Sequence, residues 1–412
     1  TQAGSGHLHP DERFLASIQN DITFASSPWN YLDTDNSPQN PYNIQRPDGS
    51  KQTTFVYGTL PLFMNKALAE WLDKDADGTT QFGAKYVVNA LDALPGVTLK
   101  YDDGRYMFNG GYDGHLVGRA LAGLLDLGTI LFIFLIGRLL ADRRVGLLGA
   151  FLYAFSAAPI QNSHFFVVDP YVTFFATFTI YFAIRSAKRG GYGNFAMAGI
   201  GAGLAAASKI TAISLLPVVL LAVFVYAWPG IQPYLAHLWR GKDAEAGATR
   251  DGAKLDQSVV TVILGSLVAA VAGFIAFRLT MPYAFNTPAL SDWWHMQQGH
   301  VGPLPIWYPD IINQQWLADQ VDQQQLLSGD AAFPPNVQWI GRSRWLWPMQ
   351  QIVSWGVGPA LGVTMWLGVP FVMAYAWVKR QPVWLVPLAW VLGYFGFMGG
   401  QYSLYMRYFL PL

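Results

Sequence analysis

The sequence predicts an all-α polytopic membrane protein with large segments outside the bilayer. Three observations carry this. Hydrophobic residues make up 52% of the chain and charged ones only 13%, about half the roughly 25% of soluble domains. Long apolar runs recur along the chain at a length that crosses a bilayer, which takes about 20 residues. The Lys and Arg residues between these runs gather in alternate connections, as they do in cytoplasmic loops.

The apolar runs cover residues 117–140, 145–160, 168–186, 211–228, 258–279, 349–378 and 382–399. Residues 194–209 form a shorter run rich in Gly and Ala, suited to close packing against neighbouring helices rather than to lipid. The last ten residues, Ser403 to Leu412, read as the start of one more helix. Arg138, Arg143 and Arg144, then Arg185, Lys188 and Arg189, then Arg240, Lys242, Arg250 and Lys254, then Lys379 and Arg380 mark the inner connections. Residues 1–116, 161–167 and 280–348 then fall on the extracytoplasmic face. The expected organisation is an outer segment 1–116, a helix bundle 117–279, a Trp-rich outer loop 280–348 and terminal helices 349–412. The polar start at Thr1, without Met, points to a trimmed N-terminus that lacks a first spanning helix.

Composition also narrows the function classes. Lys plus Arg and Asp plus Glu number 26 each, so net charge suggests no nucleic acid partner. Cysteine is absent, which removes disulfides and thiolate chemistry. Phosphate-loop, nucleophile-elbow and dinucleotide motifs are all missing. Asp73-Lys74-Asp75-Ala76-Asp77-Gly78 opens like a calcium loop, but Ala84 stands where a bidentate Glu is required, so an acidic turn is the better reading. His7, His9, His115 and His164 are too scattered to define a metal site. Leu62, Phe63, Ala67, Leu68, Trp71 and Leu72 recur at helical spacing opposite Lys66 and Glu70, the pattern of an interfacial helix. Gln- and Asp-rich residues Ile311 to Leu327 form a second candidate. Trp293, Trp294, Trp307, Trp316, Trp339, Trp345 and Trp347 suit a headgroup belt or sugar-stacking platforms.

The chemistry-bearing candidates lie at the outer mouths. Asp11 and Glu12 follow Pro10 and precede Phe14, Leu15, Ile18 and Ile22, which places both acids in the first turn of a short helix. There the helix dipole favours the ionised form, as a general base requires. Asp169 precedes Pro170 at the head of an apolar run, where it is either an N-cap or a carboxylate facing a cavity. Arg119, Lys209, Arg278 and Arg407 are cations near the same face, suited to snorkelling or to a buried anion such as a lipid-linked phosphate.

In this order, His9-Pro10-Asp11-Glu12, Tyr57-Gly58-Thr59-Leu60-Pro61, Gly114-His115-Leu116-Val117-Gly118-Arg119, Asp169-Pro170, the small-residue helix ending at Lys209, and Met406-Arg407-Tyr408-Phe409-Leu410-Pro411 resemble polyprenyl-phosphate-sugar-dependent glycosyltransferases. These are GT-C fold enzymes related to protein O-mannosyltransferases and aminoarabinose transferases. The resemblance implies a GT-C-like helix bundle whose extracytoplasmic loops contain interfacial helices, in the plasma (inner) membrane. It implies inverting transfer from a lipid-phosphate sugar donor to an extracytoplasmic protein, lipid or glycan. Asp11 would be the base, Glu12 its acidic partner and Asp169 the second acidic residue. Arg119, Lys209 and Arg407 would contact donor phosphate. No cofactor is implied with certainty, and a divalent cation stays an open option. A lipid or solute transporter and a non-catalytic scaffold of the same fold are the alternatives.

Overall fold

The computed structural model describes residues 9–46, 49–72, 84–93, 114–240, 248–286, 296–301, 304–309, 311–331 and 333–412. The Asp73–Gly78 turn, His7, Lys242, Trp293 and Trp294 lie outside them. In chain order the helices are α1 Pro10–Asp21, α2 Pro28–Leu32, α3 Thr59–Leu72, α4 Ala84–Asp92, α5 Gly114–Leu140, α6 Arg143–Ala154, α7 Ala157–Ser163 and α8 Asp169–Arg189. They continue with α9 Tyr192–Ser208, α10 Leu215–Arg240, α11 Ala248–Thr280, α12 Gln314–Ser328, α13 Leu346–Gln351, α14 Pro359–Val378 and α15 Leu385–Gly399. One antiparallel strand pair joins this helical chain, β1 Met296–Val301 and β2 Leu304–Pro309, with Met296 opposite Pro309 and Val301 opposite Leu304.

Five stretches among the described residues are long and apolar enough to cross a membrane: Gly114–Leu140, Ile210–Pro233, Leu255–Thr280, Pro359–Val378 and Pro382–Gly399. The helical membrane architecture expected from composition is therefore present. Three details differ. The run 145–160 is split into α6 and α7, because Pro159 lacks an N–H and its ring would clash with the carbonyl four residues back, and the chain leaves helical geometry at Phe155. The run 349–378 breaks at Gly358, whose φ of 88° only glycine adopts readily, and α14 restarts with Pro359 in its first turn. Residues 403–412 hold only a short 3-10 turn, Met406–Phe409. The carbonyls of Tyr408 and Pro411 accept instead from Tyr394 Oη and Trp390 Nε1 on α15, at 2.9 and 2.7 Å.

The chain divides into two compact units. The first comprises residues 1–124, 163–168 and 278–333. Its core is built on α1, which buries Glu12, Leu15, Ala16, Ile18 and Gln19 on one face. Helix α3 packs here too, but not with the polarity expected. Lys66 is buried, and its Nζ reaches the Gln19 carbonyl at 3.1 Å and Glu70 at 2.9 Å, while Ala67 is exposed. The orphan carbonyls at the C-terminus of α1 make a cation favourable there. Asn65 adds bonds to Gln19 Oε1 and to the Gly114 carbonyl. Asp319 on α12 ties Tyr42 to Phe55 by accepting from Tyr42 Oη at 2.7 Å and the Phe55 N–H at 2.8 Å. Burial nonetheless pushes its carboxyl above the ordinary aspartate value.

The second unit comprises residues 125–162, 169–277 and 334–412. Helix α9 packs as its small residues predict. A methyl group added at Gly199 would overlap the Ala269 carbonyl of α11, and one at Gly203 the Gly273 carbonyl. Gly201 lies equally close to Thr179 and Phe178 of α8. Backbone cannot withdraw as a flexible side chain does. Gly203→Val is therefore expected to cost at least the ~1–3 kcal/mol of ordinary overpacking. Thermal unfolding in detergent checks this against Gly193→Ala, which opens onto empty space; equal melting temperatures would disprove the close approach.

Candidate active site

The first unit arranges one constellation around α1. Pro10 occupies the first helical turn, and His9 caps the helix by accepting the Asp11 N–H on Nδ1 at 3.2 Å. Asp11 and Glu12 then occupy the first turn, as their sequence position predicts, but they face different surroundings. Glu12 is fully buried. Arg119, in the second turn of α5, grips it with two parallel bonds, Nε to Oε1 and Nη2 to Oε2, both 2.7 Å. The Phe166 N–H donates to Oε1 at 3.0 Å. Burial pushes the Glu12 carboxyl up, but the Arg119 bonds, the Phe166 N–H and the charges of Arg119 and His115 outweigh it, and its pKa lies below the usual 4.5. Asp11 is only partly buried, with its side chain 14% exposed. Its Oδ1 lies 3.9 Å from His9 Nδ1, and the His9 ring sits against Phe165, centroids 5.5 Å apart.

Arg119, expected at a donor phosphate, thus gives its forked donors to Glu12. The signal that places Glu12 inside was in the sequence: positions 12, 15, 16 and 19 share one helical face, and three of them are Leu15, Ala16 and Gln19. Gly118 also belongs to this arrangement, since a side chain there would overlap the Phe166 ring.

The second unit holds another constellation. Asp169 opens α8 with its carboxylate buried, and Lys209 Nζ donates to its Oδ1 at 2.9 Å. Lys209 terminates α9 and turns the chain into the 3-10 turn Ile210–Ser214, which puts its side chain at the helix end rather than along a lipid face. The same ammonium stands 4.1 Å from the centroid of the Tyr408 ring. Arg407 places its guanidinium 5.7 Å from that ring and 5.5 Å from Tyr405. Two cations therefore share one aromatic ring, each within the range of cation–π attraction. Tyr394, buried beside them, holds the Tyr408 backbone. Aromatic contacts continue from Tyr405 to Trp339 at 5.0 Å and from Trp339 to Trp347 at 5.1 Å. Tyr394 and Tyr405 were not singled out from sequence, and Tyr408 only as part of the motif around Arg407; the Tyr-x-x-Tyr spacing there was the available signal.

Among the described residues, no group of three or more His, Asp or Glu is placed to hold a metal ion. Arg278 donates to the Pro282 carbonyl and covers Phe285.

Residues 108–239 match the family described as dolichyl-phosphate-mannose-protein mannosyltransferase. The matched stretch contains Arg119, Asp169 and Lys209, and over it the resemblance carried by the sequence motifs is borne out. No curated protein matches the chain. Among solved structures, the apo oligosaccharyltransferase of Archaeoglobus fulgidus is similar, at 13% identity and a TM-score of 0.41, over 99% of this chain and 49% of that one. The chain spans about half the length of that protein.

Proposed function

We propose that this protein is an integral membrane glycosyltransferase that takes a sugar from a polyprenyl-phosphate donor and passes it to an extracytoplasmic acceptor. The observation that carries the reading is the meeting of Lys209 and Arg407 on the Tyr408 ring beside buried Asp169, two of whose members lie in the matched stretch. Both cations stand beside aromatic rings, Lys209 with the Asp169 carboxylate also in reach, and a lipid phosphate is the anion this chemistry needs. Asp11 takes the proton from the acceptor hydroxyl. The acceptor oxygen then bonds to the anomeric carbon on the face opposite the phosphate, the bond from that carbon to the phosphate oxygen breaks, and polyprenyl phosphate departs with inversion. Within the second unit, Lys209 and Arg407 are the cations suited to a donor phosphate, and Asp169 orients Lys209. Arg119 acts on this reading through Glu12, by fixing the helix that carries Asp11.

A charge-assisted bond to phosphate is worth about 1.5–3 kcal/mol, so Arg407→Gln should lower kcat/KM for the donor by about 10–100-fold. Release of radiolabelled mannose from dolichyl-phosphate-mannose by the protein in lipid nanodiscs, with and without membrane extract as acceptor, measures it. Donor turnover unchanged in Arg407→Gln would remove the phosphate role. A non-catalytic scaffold would draw on the same ion pairs as mere structure, and it predicts no mannose release by the native chain.

A further inference from the structure

We propose that the second unit binds an anionic glycerophospholipid at the end of α8 remote from Asp169: a cavity along α14 and α15 takes an acyl chain, and Lys188, Lys379 and Arg380 take the headgroup phosphate. The cavity has a volume of about 300 Å³ and is lined by apolar residues alone, among them Leu140, Trp366, Val369, Trp384, Leu388 and Val391. Val391 stands seven positions beyond Trp384, so the cavity reaches about 10 Å inward from the Trp384 end. That end is basic. Lys379 is the C-cap of α14, Arg380 follows it, and both are exposed. Trp384 Nε1 donates to Gln381 Oε1 at 3.1 Å, which holds the indole against the same turn. On the wall formed by α5, the Leu139 carbonyl, next to Leu140, accepts from Lys188 Nζ at 2.6 Å, and the ammonium keeps two further donors.

Charge and depth both point to a phospholipid. Among the described residues no carboxylate pairs with these three cations; Asp142, two positions beyond Leu140, uses its Oδ1 to cap α6 through the Arg144 and Val145 N–H groups. Trp377, in the last turn of α14, is 85% exposed, and indoles favour the headgroup zone, which places Lys379 and Arg380 at the depth of lipid phosphates. Neither half of the site is selective alone. Lipid tails are as apolar as the cavity wall, so burying one gains little over the bilayer, and surface cations attract any anionic membrane. Together they favour a molecule that joins a tail to a phosphate. The donor lipid belongs elsewhere on the reading above, with its phosphate at Lys209 and Arg407. Lys209 is bonded to Asp169 at the start of α8, nineteen positions before Lys188, and that length of helix is about 28 Å.

Two substitutions separate binding from folding. Arg380 has a φ of 49°, the left-handed region in which helices commonly end on glycine, so Arg380→Gly removes the charge and relieves the backbone. Gly368 also lines the cavity, and a Cβ added there meets nothing within 4 Å, so Gly368→Leu fills the space without a clash. Both variants should melt no lower than the native chain in lipid-free detergent. Native mass spectrometry of the full native chain, titrated with phosphatidylglycerol or phosphatidylcholine, reads the affinity of the first lipid bound. Phosphatidylglycerol should bind at least about twentyfold more tightly, since each cation contributes about fivefold. Arg380→Gly should weaken phosphatidylglycerol about fivefold and leave phosphatidylcholine unchanged. Gly368→Leu should remove the tight first binding step, whereas a lipid held at Lys209 and Arg407 would be untouched by it. Equal affinity for the two lipids, or phosphatidylglycerol binding unchanged in either variant, overturns the proposal. Undecaprenyl phosphate binding more tightly than phosphatidylglycerol, and losing that binding in Gly368→Leu, would also overturn it by assigning the cavity to an isoprenoid.

Discussion

Asp11→Asn is expected to lower sugar transfer by about 10²–10⁴-fold, the range a positioned general base contributes, while leaving the fold intact. Amide and carboxylate have nearly the same shape, so the packing of α1 is preserved. The cap is preserved too, since His9 accepts from the Asp11 backbone N–H and not from its side chain. What disappears is the capacity to take a proton. The partial exposure of Asp11 matters here: its neighbour Glu12 is sealed from any acceptor, with a 0% exposed side chain, whereas Asp11 keeps 14%. Of the two adjacent acids, only the first can meet a substrate hydroxyl. Mannose release and transfer by the purified variant check the expectation, and turnover within twofold of native would exclude Asp11 as the base. Glu12→Gln distinguishes the two acids, because it leaves the Asp11 carboxylate in place and should lower turnover far less than Asp11→Asn, through looser positioning of the helix turn alone.

The legible part of the sequence was the part written in local periodicity. Helix α1 and its acidic first turn follow from Pro10 and the spacing of Leu15 and Ile18, and the tight packing of α9 follows from its run of Gly and Ala. Breaks at Pro159 and Gly358 were readable in principle, but hydropathy averaged over a window passes across a single residue that cannot continue a helix. What stayed hidden depends on contacts between distant segments. Lys66 looks like a solvent-facing residue until the C-terminus of α1 is seen to lie over it. Lys209 and Arg407 are separated by nearly two hundred positions, and nothing local indicates that both lie against the Tyr408 ring. Arg119 shows the same limit: a membrane cation near the outer face suits phosphate on general grounds, and its bonds to buried Glu12 join segments more than a hundred positions apart.

Arg119→Met is expected to destabilise the first unit far more than Glu12→Gln, although both break the same pair. Removing the arginine leaves an uncompensated carboxylate with no exposed surface, a defect that costs about 3–5 kcal/mol in buried ion pairs. Removing the carboxylate's charge leaves a guanidinium that is 24% exposed and can recruit water, while the amide oxygen of the substituted side chain still accepts the Phe166 N–H; the loss should be smaller, about 1–3 kcal/mol. Thermal unfolding in detergent at pH 7 orders the two variants, and equal loss would show that desolvation of Glu12 is not what the arginine offsets. The pH dependence gives an independent sign. Because the folded pKa of Glu12 lies below the unfolded value of 4.5, its contribution is complete above that value and is lost as pH falls through the folded one. The native protein should therefore lose stability on acidification below pH 4.5, and Glu12→Gln should lose less over the same interval. Since α1 carries Asp11 one residue before Glu12, any variant that loosens the pair also loosens the helix turn on which the proposed base stands. Arg119→Met should then lower activity through a misplaced Asp11 even at temperatures where the variant remains folded.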